Sequence, residues 1–191
     1  MKESLERRTA MQATELLREQ FKQVHQYVEE IMDSVTPEQA HWHPPGTDVN
    51  SLGGNYAHIV VVEDLVINGV LQGKAPLFAS SWAGKTGMST PPPLPSPEVH
   101  GLPSWHAWSR EVDIDLRALR AYAQATYAAT EEHLASLPDE QLHQTVDLSG
   151  IGLGTPTILR ILSVNVVGHS YSHSGEIACL KGLQGSKGYI L

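Results

Sequence analysis

The amino-acid sequence predicts an all-α protein, a four-helix bundle with one long proline-rich connection. Four long segments repeat their apolar residues at helical spacing, and no two segments alternate as paired β-strands do. Between the second and third segments, residues 74–104 carry seven of the twelve prolines, and proline cannot continue a helix. The length of 191 residues fits a single domain over residues 1–191.

The charge balance argues against a nucleic-acid-binding protein. The chain has 13 lysines and arginines against 21 aspartates and glutamates, whereas binding to phosphate needs an excess of basic groups. No stretch reaches the roughly 18 apolar residues that span a bilayer, and residues 1–8 lack the apolar centre of a signal peptide. The single cysteine, Cys179, has no partner for an internal disulfide. We therefore expect a cytoplasmic protein that binds neither nucleic acid nor membrane.

The first helix is predicted from Thr9 to Val35. Its apolar residues recur every three or four positions, at Leu17, Phe21, Val24, Val28, Ile31 and Val35. Pro37 follows, and the residue before a proline is disfavoured in a helix. This segment should therefore bury one face only.

The second helix is predicted from a cap at Asn50 or Ser51 to about Leu71, with Gly73 after its last turn. Residues 56–70 are apolar on nearly every side. We therefore expect this helix to be the most buried of the four.

The third helix is predicted to start at Ser104 or Ser109 and to end before Pro138. Its apolar face consists of Trp105, Trp108, Val112, Leu116, Leu119, Ala123, Leu134 and Leu137. The preceding residues 74–104 form a connection long enough to cross the bundle, so the order of the helices in space stays open.

The last helix is predicted from the Thr155–Pro156 pair, a cap followed by proline at the first helical position, to about Leu183. Its predicted core face consists of Ile158, Leu162, Asn165, His169, His173, Glu176, Leu180 and Leu183. Gly185 should end it.

Two histidines on this face, His169 and His173, are spaced four residues apart. Residues at that spacing have Cβ atoms about 6 Å apart, which suits two imidazoles that bind one metal ion. His58, in the buried middle of the second helix, can supply a third donor. Three protein ligands would leave a coordination position open for water or substrate, as in catalytic sites.

Simpler interpretations remain open for these residues. A histidine inside a bundle is often a hydrogen-bonded core residue, and His169 is followed by Ser170, so the zinc-protease pattern His-Glu-x-x-His is absent. Glu176 can orient a ligand ring or pair with a neighbouring helix. Glu63 lies about 140° around the helix from His58, which suggests packing or the surface.

The sequence also resembles the DinB-like (YfiT-like) metalloenzyme superfamily, over most of the chain. The resemblance lies in two blocks, residues 42–64 and 168–177, and in the triplet Leu-Gln-Gly that ends both helices, at Leu71 and Leu183. The superfamily includes bacterial thiol-dependent transferases and mycothiol-dependent maleylpyruvate isomerases. Residues 74–104 form a longer and more proline-rich connection than the family pattern has.

The resemblance implies a four-helix bundle, often a homodimer, that holds a divalent zinc or nickel ion through one histidine of the second helix and two of the fourth. The corresponding residues here are His58, His169 and His173. We therefore expect a metal-dependent transferase or hydrolase that activates a small thiol or water. The alternatives are a non-catalytic, stress-related binding module with the same metal site, and a hydrogen-bonded histidine cluster without metal.

Overall fold

A computed structural model describes residues 12–93 and 105–189, and within these ranges the chain is helical with no β-strand. The helices are α1 (Ala13–Met32), α2 (Pro37–His41), α3 (Leu52–Asp64), α4 (Trp105–Glu111), α5 (Leu116–Ser136), α6 (Ile158–Arg160) and α7 (His169–Leu183). Two π-helical segments prolong them: Leu65–Leu71 continues α3, and Ile161–Gly168 joins α6 to α7. The predicted all-α bundle is confirmed.

The long helices pack around a shared core. Both α1 and α3 pack against α5 and α7, so that these four helices enclose the core between them. The predicted apolar face of α1 is buried from Leu17 to Ile31, and α3 is buried on nearly every side. No helix in the described part of the chain is long and apolar enough to cross a membrane.

The first helix ends earlier than the sequence predicts. It stops at Met32 rather than Val35, because Ser34 adopts the left-handed backbone conformation (φ 61°) and turns the chain. Val35 is nevertheless buried after the turn. The predicted start at Thr9 lies outside the described residues.

The helix predicted second along the sequence is α3 with its π-helical continuation, and it has the predicted boundaries. Of the two candidate caps, Ser51 performs the role, since its side chain accepts a hydrogen bond from the backbone N–H of Gly54 at 3.0 Å. The π-helical segment ends at Leu71, and Gly73 follows with a φ of 62°. That conformation favours glycine, as the sequence implied.

The third helix, predicted as one continuous unit, is two helices in the structure. The backbone N–H of Ile114 donates to Nε2 of His41 at 2.9 Å instead of to a helical carbonyl, and Ile114 forms an isolated bridge with Met88. Asp115 then caps α5 by accepting from two backbone N–H groups of its first turn. These contacts to other parts of the chain outweigh the helical periodicity.

Of the two predicted starts of the third helix, Ser109 is wrong because it lies inside α4, and Ser104 lies outside the described residues. The predicted start of the last helix also needs correction. The cap of α6 is Thr157, not Thr155, because the carbonyl of Pro156 accepts from a backbone N–H of the preceding loop and Thr157 pairs with Thr145. The chain therefore enters the last helix two residues later than predicted.

The first part of the proline-rich connection is fastened to the bundle. The carboxylate of Asp64, fully buried at the end of α3, accepts from the backbone N–H groups of Leu77 (2.9 Å) and Phe78 (3.0 Å). It also accepts from the side chains of Asn68 (2.8 Å) and Tyr122 (2.6 Å). One carboxylate thus joins the connection to both α3 and α5.

Candidate metal centre

His58 is the one residue of the stretch 52–61 that is partly exposed. Glycines nearby allow two helices to approach α3 closely: a Cβ on Gly53 would lie 3.1 Å from a carbonyl oxygen of α2, and a Cβ on Gly54 2.7 Å from one of α4. As a result α4 places Trp105 against His58, with ring centroids 4.8 Å apart at 61°. An aromatic wall therefore covers one side of the imidazole.

His169 is the first residue of α7, directly after the π-helical segment that joins it to α6, and His173 lies one turn further on. Such widened turns occur frequently at functional sites. Because α3 and α7 pack together, the three imidazoles meet. The ring centroid of His58 lies 4.7 Å from that of His169 and 4.8 Å from that of His173, and the two rings on α7 are 4.5 Å apart.

One candidate ligand nitrogen from each ring lies within 4.8 Å of the other two. The Nε2 atoms of His58 and His169 are 2.9 Å apart. Two nitrogens bound to one ion at about 2.1 Å can be no more than about 4.2 Å apart, so a pair near the 4.8 Å limit would have to come closer to share an ion. Three imidazole donors suit zinc and nickel alike, and the residues present fit such an ion.

The surroundings keep two of these histidines neutral. Burial, together with the neighbouring His173, lowers the pKa of His58 to about 4. Burial, followed by the proximity of His58 and His173, lowers the pKa of His169 to about 3. Neutral imidazole is the form that binds metals, so neither ring has to lose a proton near neutral pH.

The sequence left two roles open for Glu176, and the structure places it on His173. Oε2 of Glu176 lies 2.7 Å from Nδ1 of His173. A carboxylate only accepts, so Nδ1 carries the hydrogen, and in the neutral ring the lone pair of Nε2 is free for a ligand. The Nδ1 atoms of His58 and His169 are buried and have no hydrogen-bond partner among the described residues.

Of the two roles that the sequence left open for Glu63, packing is the one found: Glu63 is completely buried, and it accepts hydrogen bonds from His25 and Thr130 on the other side of α3. Two residues of α7 that were expected on the core face are exposed, Leu183 at 63% and Glu176. The π-helical segment shifts the phase of the helix, so that Ile177 faces the core instead. No sequence signal indicated Trp105 as a wall of the site.

Comparisons with known proteins agree with this architecture. A family model described as the DinB superfamily matches residues 20–177. A crystal structure described as the conserved protein of locus from Enterococcus faecalis is 24% identical, with a TM-score of 0.71, and the match covers 91% of this chain and 98% of that chain. At this identity the likeness concerns the fold alone. No curated protein matches the sequence.

Proposed function

This chain belongs to the DinB superfamily, and we propose that it is a divalent-metal-dependent transferase or hydrolase that activates a small thiol or water at a site of three histidines. The observation that carries the proposal is the meeting of His58, His169 and His173, whose candidate ligand nitrogens lie within 4.8 Å of one another. The proposed metal is zinc or nickel, because imidazole nitrogen suits both.

The three histidines would hold the ion, and a cation there would supply Lewis acidity that lowers the pKa of a thiol or water. Glu176 fixes the orientation and tautomer of His173 through the 2.7 Å contact to Nδ1. Trp105 covers one side of His58 and keeps water from that side. A small thiol as substrate and a homodimeric assembly are further parts of the proposal.

A metal-free histidine cluster is the competing interpretation, and the 2.9 Å separation of the His58 and His169 Nε2 atoms favours it. That distance fits a hydrogen bond in which one neutral imidazole donates to the other. Such a cluster would stabilise the fold without binding an ion. A metal site without turnover is the third possibility.

Elemental analysis of untagged protein separates these interpretations. We expect about one zinc or nickel ion per chain, retained by the wild type and lost from His58→Ala and His173→Ala while the helical circular dichroism is kept. His143→Ala is the matched control, because His143 is exposed in the turn after α5 and is not one of the clustered histidines. Wild-type protein that takes up neither ion after incubation would refute the proposal.

Turnover is tested on the loaded protein. Small thiols are offered together with electrophilic acceptors, and the loss of free thiol is followed with time, beside hydrolysis of simple esters and amides. We expect a rate that disappears in His173→Ala and persists in His143→Ala. Metal binding without any such rate would leave the non-catalytic binding module.

A further inference from the structure

A second site lies away from the histidine cluster, in a cleft of about 620 Å³ between α1 and α5. Clefts that bind small molecules have volumes of roughly 300–1,000 Å³. The floor is formed by Phe21 and His25 of α1 and by Tyr127 of α5. The histidine cluster belongs instead to the contact between α3 and α7.

A buried carboxylate orients His25 at the bottom of this cleft. Glu63, which is fully buried, accepts from Nε2 of His25 at 2.9 and 3.0 Å and from the hydroxyl of Thr130 at 2.6 Å. Because a carboxylate only accepts, Nε2 carries a hydrogen, and in the neutral ring Nδ1 is an acceptor. Nδ1 has no hydrogen bond to any described residue.

Aromatic packing holds the same ring in place. His25 stacks on Tyr127 with ring centroids 3.8 Å apart and planes at 17°. The hydroxyls of Tyr127 (3.2 Å) and Tyr56 (2.7 Å) both donate to Oε1 of Glu29. Glu29 follows His25 by one helical turn, on the same face of α1, and its Oε2 accepts no hydrogen bond from the described residues.

The wall of the cleft carries more acidic than basic side chains. Its carboxylate and basic residues besides His25 are Glu15, Glu19, Glu29, Glu131, Arg18 and Lys22. Arg18 is already paired with Glu131. The remaining charge is negative, so the wall attracts a cation and repels an anion.

We propose that this cleft binds a small primary ammonium compound. The ammonium group donates to Nδ1 of His25 and Oε2 of Glu29, and its carbon chain lies against the aromatic floor beside Tyr127. The cleft offers acceptors and negative charge, which three N–H donors and one positive charge complement. The site is independent of the proposed metal centre and does not require metal.

Titration of the full chain with n-butylammonium, followed by amide NMR at fixed ionic strength, tests the proposal. We expect saturable shifts confined to α1 and α5, and contacts between the ligand's methylene protons and the ring of Tyr127. n-Butanol and butyrate, which lack the positive charge, should give no saturable shift. Equal binding of butanol, or shifts spread over the acidic surface, would overturn the proposal.

Variants sharpen the test. Glu29→Gln keeps an acceptor for both tyrosine hydroxyls but loses the charge, and should weaken binding roughly tenfold or more. His25→Phe keeps the stack on Tyr127 and loses Nδ1. His25→Phe also removes a hydrogen-bond partner of Glu63, so its fold is checked by circular dichroism. If His25→Phe does not fold, the test rests on Glu29→Gln.

Two control variants complete the experiment. Glu132→Gln removes one exposed charge from α5 outside the cleft, and should bind as the wild type does. His169→Ala alters the histidine cluster and should also bind normally. Equal weakening by Glu132→Gln and Glu29→Gln would reduce the effect to net charge and refute a site at His25.

Discussion

Replacing Asp64 should release the proline-rich connection from the bundle. Its carboxylate accepts four hydrogen bonds, from Asn68, Leu77, Phe78 and Tyr122. In Asp64→Ala the backbone N–H of Leu77, which is partly exposed, can donate to water instead. The other three donors are buried and lose about 1 kcal/mol or more each. We therefore expect Asp64→Ala to lower the free energy of unfolding by about 3–4 kcal/mol.

Asp64→Asn should cost about half as much. The amide retains one acceptor oxygen, while its NH₂ group faces donors that it cannot satisfy. The hydroxyl of Tyr122 can reverse its role and accept, but the backbone N–H of Phe78 cannot. The expected order of stability is therefore wild type, then Asp64→Asn, then Asp64→Ala. It follows from hydrogen-bond chemistry rather than from side-chain size.

Urea unfolding followed by circular dichroism measures these changes. With a slope of about 3 kcal/mol per molar urea, the Asp64→Ala midpoint should fall by about 1 M. Amide hydrogen exchange at Leu77 and Phe78 should accelerate in the same variant. Asp113→Ala, at an exposed position in the segment before α5, is the control. Losses below about 1 kcal/mol in both Asp64 variants would refute the reasoning.

Three further predictions concern other contacts. Gly87→Ala should destabilise the protein by about 2 kcal/mol or more in urea unfolding, because φ is 78° and a Cβ would lie 2.5 Å from the backbone at the start of α5. Lys181→Met should cost about 1–3 kcal/mol in thermal unfolding, since Nζ donates to two carbonyls at the end of α1. The metal-free protein should lose stability as pH falls from about 6.5 to about 4, because unfolded histidines take up protons that His58 and His169 resist in the fold. The lowering of the pKa of His58 to about 4 corresponds to a loss of about 3 kcal/mol at most. A His58→Asn, His169→Asn double variant should show a flatter dependence of stability on pH.

The fold could be predicted because the spacing of apolar residues within each helix can be recognised without knowing what the helix packs against. The apolar spacing in α1 and the cap at Ser51 are local features, and the structure contains both. The break before α5 could not be predicted, because it depends on Ile114 meeting His41 and Met88, which lie far away in the chain. Such contacts leave no periodic pattern.

In the candidate site, too, local spacing could be predicted and contacts between distant parts of the chain could not. The four-residue spacing of His169 and His173 indicated that their rings share a face, and the structure brings both to His58. That they bind an ion stays a prediction. For Glu63 the angle from His58 left packing and the surface both open, because the sequence does not show what lies on that side, namely His25 and Thr130.

One helix, α3, faces two different grooves within a short stretch. His58 turns to α7, and Glu63 turns to α1 and α5. Inserting or deleting a single residue between them would rotate one side chain by about 100° away from its groove. A homologous chain that keeps both grooves must therefore keep the same five-residue interval between its histidine and its glutamate. That interval is a criterion for aligning distant relatives that can be applied without a structure.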